Sequence, residues 1–217
     1  MAPRGRPQNP EQQEQTRQAL KQAAKELLYE RSYRSITLRT LAERAGTQSA
    51  MVSYYFGSKE DLFAELLNDA GEERAAVLES LAEVILAKPE QALDLIVEGL
   101  VSLMTADLWM FRLLQDEILT QESRLREDMI RVGPVRLGGT LIQLLTKLQQ
   151  VGILKNDLNP QFSAITILSN IMAPIILQPM IKDAFQLDIE RIRSPEWKSH
   201  LKRILNDSLL HREQPNE

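Results

Sequence analysis

Residues 36–56 read Ile36-Thr37-Leu38-Arg39-Thr40-Leu41-Ala42-Glu43-Arg44-Ala45-Gly46-Thr47-Gln48-Ser49-Ala50-Met51-Val52-Ser53-Tyr54-Tyr55-Phe56. Apolar spacing predicts a short amphipathic helix, a glycine-centred turn and a second short helix. Gly46 supplies the left-handed backbone that a tight turn between helices needs. Ala42 is small where the two helices must approach. Val52 and Phe56 are spaced to point back at Leu41 and at Leu27 upstream. The opposite face of the second helix then presents Gln48, Ser49, Ala50, Ser53 and Tyr54. Two short helices around such a turn form a helix-turn-helix, whose second helix fits the DNA major groove.

Outward from this stretch the chain continues to read as helix. Ala19, Ala23, Ala24, Leu27 and Leu28 make one stripe within residues 10–31, and Leu62 to Ile85 make another within 59–87. Further helices are expected at 89–106, 108–121, 123–150, 159–182 and 195–212. Gly133-Pro134 and Gly138-Gly139 predict a kink or break in the helix at 123–150. Asn9-Pro10, Asn159-Pro160 and Ser194-Pro195 each set a capping side chain before a proline at the first helical position. No stretch shows strand alternation between turn signals, so the fold class is all-α.

The 217 residues include no cysteine and two histidines. Disulfide scaffolds, thiolate zinc sites and thiol nucleophiles are excluded, and a histidine-based triad or metal site has little to work with. No cofactor is expected and no cluster of acid, base and nucleophile suggests an enzyme. The net charge of −4 is unevenly spread: residues 1–59 hold ten Lys/Arg against five Glu, leaving the remainder strongly acidic. A basic head suits a polyanion. Phe162 to Ile181 carries no charge over about the length of a membrane span, but Pro174, Pro179 and several polar side chains favour a helix buried on all sides. No membrane partner and a cytoplasmic location follow from that reading.

The string Thr37, Leu41-Ala42-Glu43-Arg44-Ala45-Gly46, Tyr54-Tyr55-Phe56 and Ser58-Lys59-Glu60-Asp61-Leu62 resembles the DNA-binding domain of the TetR repressor family. The resemblance spans about Thr16 to Leu67. It implies three DNA-binding helices at 10–58 behind a basic arm at 1–9. A helical ligand-binding and dimerisation domain would occupy 59–217. The implied function is a ligand-responsive repressor that binds a palindromic operator as a homodimer and is released by a small apolar or amphipathic effector. Three positions depart from the family pattern: Ser32 stands where glycine is usual, Gln48 where Ser or Thr is frequent, and Ser53 where a phosphate-touching Tyr is frequent.

Roles follow from side-chain chemistry. Gln48, Ser49, Ala50 and Tyr54 are candidates for base reading, since Gln pairs with adenine and Ala or a ring meets the thymine methyl. Thr37, Arg39, Tyr55 and Lys59 are candidates for phosphate contact; for the two tyrosines simple packing is the alternative. Arg4 and Arg6, in Pro3-Arg4-Gly5-Arg6-Pro7, resemble an AT-hook core that enters a narrow minor groove, or else form a charged tail. Met104, Trp109, Met110, Phe111, Leu114 and Met129 suit either an adaptable ligand pocket or ordinary core. Ile171 and Ile175, with Trp197, Leu201 and Leu205 of the last helix, are the expected dimer interface.

Overall fold

The computed structural model describes residues 10–118, 125, 127, 128, 130 and 134–210. The arm at 1–9, with Arg4 and Arg6, and also Met129 lie outside the described residues. Eleven α-helices run through the described part: α1 Pro10–Glu30, α2 Leu38–Arg44, α3 Ser49–Phe56, α4 Lys59–Ala87, α5 Ala92–Ala106, α6 Leu108–Ile118, α7 Pro134–Gln150, α8 Pro160–Ile176, α9 Gln178–Phe185, α10 Ile189–Arg193 and α11 Pro195–Leu209. There is no strand among the described residues. The fold is all-α, as the spacing predicts.

The chain divides into two compact units. The first, the head, comprises residues up to Ala70 together with Trp109–Met129. The second, the body, comprises Gly71–Leu108 and the chain from Ile130 onward. The division therefore falls within α4, and not at 58/59. The physical reason is that Leu62, Phe63, Leu66 and Leu67 on the first half of α4 bury against the helix-turn-helix, in one cluster with Leu20, Leu27, Leu28, Leu41, Val52 and Phe56. Trp109, Leu113 and Leu125 complete that cluster from far along the chain.

In the head, Leu20, Ala23, Ala24, Leu27 and Leu28 form the buried stripe of α1, one face of a 3.6-residue repeat. Gly46 turns the chain between α2 and α3 at φ +65° with open space around its missing Cβ, so conformation and not crowding demands glycine there.

In the body, α5 buries nine residues, among them Leu93, Ile96, Val97, Leu100 and Val101. A Cβ on Gly99 would collide with the Leu81 side chain, so this glycine lets α4 and α5 close on each other. Helix α7 begins at Pro134, where a break is expected, and passes through Gly138 and Gly139 uninterrupted. The single helix expected at 159–182 is instead two, α8 and α9, bent by 77°. Pro179 has no N–H to continue the ladder and its ring clashes with the carbonyl four residues earlier. Nor is this segment buried on all sides, since Phe162 and Ile165 are 69% and 62% exposed. No single described helix is long and apolar enough to cross a membrane.

Candidate DNA-binding surface

The surface is built on caps. Thr37 stands before α2 in extended backbone, and its hydroxyl accepts the Thr40 N–H at 3.2 Å. The Thr40 hydroxyl in return accepts the Thr37 N–H at 2.9 Å, closing a capping box. Ser32 adopts φ −65°, ψ 145° and caps a 3₁₀ turn, Tyr33–Ser35, by accepting the Arg34 N–H at 3.3 Å. A serine in place of the usual glycine is therefore unstrained. Gln48 occupies the cap position of α3 but its side chain makes no capping bond. Its amide stays exposed at the mouth of the helix.

On α3 the exposed side chains are Ser49, Ala50, Ser53 and Tyr54, the last 57% exposed. The buried side chains are Val52 and Phe56. All four residues expected to read bases thus share one accessible face. Arg39 is almost fully exposed and pairs with Glu43 one turn on, at 2.7 Å. Such a surface pair contributes little and exchanges readily for a phosphate. Arg34, which sequence reasoning did not single out, is exposed on the 3₁₀ turn beside them.

Two expected phosphate contacts look different in the structure. Tyr55 packs against the head core, its ring edge-to-face on Tyr54 at 5.1 Å, and its hydroxyl is buried with no hydrogen-bond partner among the described residues. In this arrangement it does not face a phosphate; position 55 lies on the flank of α3 between the reading face and the core. Lys59, the first residue of α4, is half-buried. Its ammonium donates to the Tyr33 carbonyl at 3.2 Å and sits 4.0 Å from the Tyr33 ring centroid. The Tyr33 hydroxyl donates to Glu60 at 3.2 Å, and its ring meets Phe63 edge-to-face at 5.0 Å.

Below this surface, charge holds α1 to α4. Lys21 is buried and bridges Glu65 and Asp69 at 2.5 and 2.6 Å, while Arg17 pairs with Glu65 and lies over the Phe56 ring. Burial works against the Lys21 charge, but the hydrogen bonds it donates to Asp69 and Glu65 outweigh that and raise its pKa.

The residues expected to line a ligand pocket divide between the two units. Trp109 is 1% exposed in the head core, with Met110 and Leu114 packed against the same cluster. Phe111 is buried in that stretch, Met104 is buried on α5 of the body, and Met129 lies outside the described residues. A small apolar cavity of about 20 Å³ does exist in the body. Leu81 and Ile85 of α4, Ile96 and Leu100 of α5, and Thr140 and Leu144 of α7 line it. Its amphipathic-helix lining was visible in the sequence only as ordinary core.

The expected dimer residues also divide. Ile171, Ile175, Leu201 and Leu205 are at most 4% exposed, filling the body's own core. Of these, Trp197 alone is part-exposed, its ring 5.8 Å from that of His200 and tilted 32° to it. The opposite stripe of α8 carries Phe162, Ile165 and Ser169, and α11 continues the exposed set with Ile204. Sequence periodicity marks both stripes of α8 as apolar and does not say which one the chain itself covers.

Residues 20–66 match the family model of bacterial regulatory proteins, tetR family. The head thus carries a tetR-family DNA-binding domain over residues 20–66. Among solved structures, FadR from Bacillus subtilis, in complex with stearoyl-CoA, is similar at 21% identity and a TM-score of 0.67, covering 87% of this chain and 96% of that one. HlyIIR, a hemolysin II regulator, is similar at 22% identity and 0.65, covering 92% and 99%. NalD of Pseudomonas aeruginosa, the secondary repressor of the MexAB-OprM multidrug efflux pump, is similar at 20% and 0.61, covering 91% and 98%. At these identities the likeness is one of fold. No curated protein matches the sequence.

Proposed function

We propose that the chain is a TetR-family transcriptional regulator, a ligand-responsive repressor that acts in the cytoplasm, binds a palindromic operator as a homodimer and is released by a small apolar or amphipathic effector. The observation that carries the reading is the exposed face of α3, where Gln48, Ser49, Ala50 and Tyr54 stand clear of a core that holds Val52 and Phe56. Arg39, Arg34 and Lys59 flank it as candidate phosphate contacts, Thr37 orients the start of α2, and Arg4 and Arg6 of the arm are proposed to reach the minor groove.

The dimer is proposed to form on the exposed stripe of α8 and α11, through Phe162, Ile165, Trp197 and Ile204. Exposed apolar area of this kind on two adjacent helices marks an interaction surface, and a two-fold pairing of one patch with itself suits a two-fold operator. The effector is proposed to enter the body between α4, α5 and α7. At about 20 Å³ the cavity holds roughly one water-sized sphere. An effector of several carbons therefore requires these helices to part, and its differential affinity for the parted state drives the response. That FadR was solved with stearoyl-CoA makes an acyl chain a first candidate for such an apolar lining.

The test is a mobility shift on genomic fragments over a salt series, repeated with fatty acyl compounds. Affinity that falls steeply with salt and falls again with the acyl compound supports the reading. Salt-insensitive binding, or none, overturns it.

A further inference from the structure

Helix α6 is remote in sequence from the helix-turn-helix, yet it reaches into its corner. The Asp116 carboxylate accepts the backbone N–H of Tyr33 at 2.6 Å across 83 residues of chain. Tyr33 is buried at the point where α1 gives way to the 3₁₀ turn and α2. Each polar group of Tyr33 has an assignment: its N–H goes to Asp116, its hydroxyl to Glu60, and its carbonyl receives the Lys59 ammonium. Its ring face lies under the same ammonium and its edge packs on Phe63. Tyr33 thus meets Lys59 through two contacts, a hydrogen bond and a cation–π interaction.

We propose that Asp116 is a positioning residue for DNA binding: by holding the Tyr33 N–H it fixes the ring and carbonyl that aim the Lys59 ammonium. This rests on the phosphate role proposed above for Lys59. The chemistry favours a carboxylate here. A charge-assisted hydrogen bond to backbone N–H is short and about twice as strong as a neutral one. Removing the acceptor leaves a part-buried N–H at the corner without its partner. Asp116 also sits on the helix that directly follows α5, whose Ile96 and Leu100 line the body cavity.

The experiment measures binding of the full-length protein to a fluorescein-labelled mixed-sequence DNA duplex by anisotropy, over a salt series. Lys59→Ala is expected to lower the salt slope by about one unit. Asp116→Ala is expected to weaken binding about 3- to 10-fold and to lower the slope likewise. Asp116→Asn, which keeps an oxygen at the same reach, is expected to stay within about twofold of the parent. On the Lys59→Ala background, Asp116→Ala is expected to cost less than about twofold more, because the two residues act through one contact.

Loss of a negative charge alone would instead tighten binding in both Asp116 variants. Tighter or unchanged binding by Asp116→Ala, equal behaviour of the Ala and Asn variants, or full additivity with Lys59→Ala would each overturn the proposal. Should circular dichroism show Asp116→Ala unfolded, Asp116→Glu carries the same cycle. It keeps the charge but sets the carboxylate one methylene farther out, so weaker binding that vanishes on the Lys59→Ala background supports positioning, and parental or additive binding overturns it. If Lys59→Ala itself leaves affinity and slope unchanged, the phosphate role fails and not merely its positioning.

Discussion

The exposed face of α3 and the exposed face of α8 differ in chemistry, though both helices bury their other face. On α3, Val52 and Phe56 go inward while Gln48, Ser49 and Ser53 go outward. On α8, Ile167, Ile171 and Ile175 go inward while Phe162 and Ile165 also remain outside. A polar outer face can hydrogen-bond base edges and water alike. An apolar outer face gains free energy only against another apolar surface. On the function proposed above, the head therefore leaves its partner and returns, and the body keeps one.

That contrast predicts where substitutions do damage. The largest effect is expected at Trp109, which is 1% exposed among Leu20, Phe63 and Leu113. Trp109→Ala should cost about 3–5 kcal/mol, lowering the melting temperature and abolishing DNA binding with it. A variant that melts normally and loses only its effector response would return Trp109 to a ligand pocket.

Next, Phe162→Asp with Ile165→Asp should convert dimers to folded monomers in sedimentation, because unpaired charge is costly to bury in a dry interface. Ile171→Asp, on the inner stripe of the same helix, should unfold the body instead. An intact dimer in the double variant would move the interface away from α8.

A smaller effect is expected at the reading face. Gln48→Ala should cost roughly 1–3 kcal/mol at one base position and relax preference there. A binding-site selection that returns the same preferences would remove Gln48 from base reading.

The smallest effect concerns pH. Hydrogen bonds from Lys198 and Lys202 hold the Glu98 carboxyl in the body below its ordinary value of 4.5. In the head, burial raises Glu65 but hydrogen bonds from Arg17 and Lys21 overcome it, with the same net direction. A lowered folded-state value means that the stabilisation is present above pH 4.5 and is lost as the pH falls through the folded value. Both carboxylates are partly solvated, so each contributes under about 1 kcal/mol. Acid melting curves of Glu98→Gln should lack part of the parent's decline below pH 4.5; parallel curves would show the pairs to be inert.

Much of the head was legible because its signals are local. Thr37 with Thr40, Gly46 at positive φ, and the Leu41, Val52 and Phe56 spacing all act within a few residues, and each does what its type predicts. The start of α7 at Pro134 and the full length of α4 were legible for the same reason. The pocket and interface residues were not. Trp109 and Met104 are neighbours in sequence with similar chemistry, yet one serves the head core and the other the body. Nothing near Tyr55 in sequence reveals that its hydroxyl is buried.

The amino-acid order alone therefore settled most of the helices, the caps at Thr37, Asn159 and Ser194 and the turn at Gly46, since these depend on backbone bonds and spacings of four residues or fewer. Tertiary packing decided which apolar stripe of α8 the chain covers, that α6 lends Trp109 and Asp116 to the head, and that the cavity lies among Leu81, Ile96 and Leu144. The hydrophobic effect is proportional to area and has no direction. A leucine stripe records that it will be buried; only the contacts made across tens of residues select what buries it.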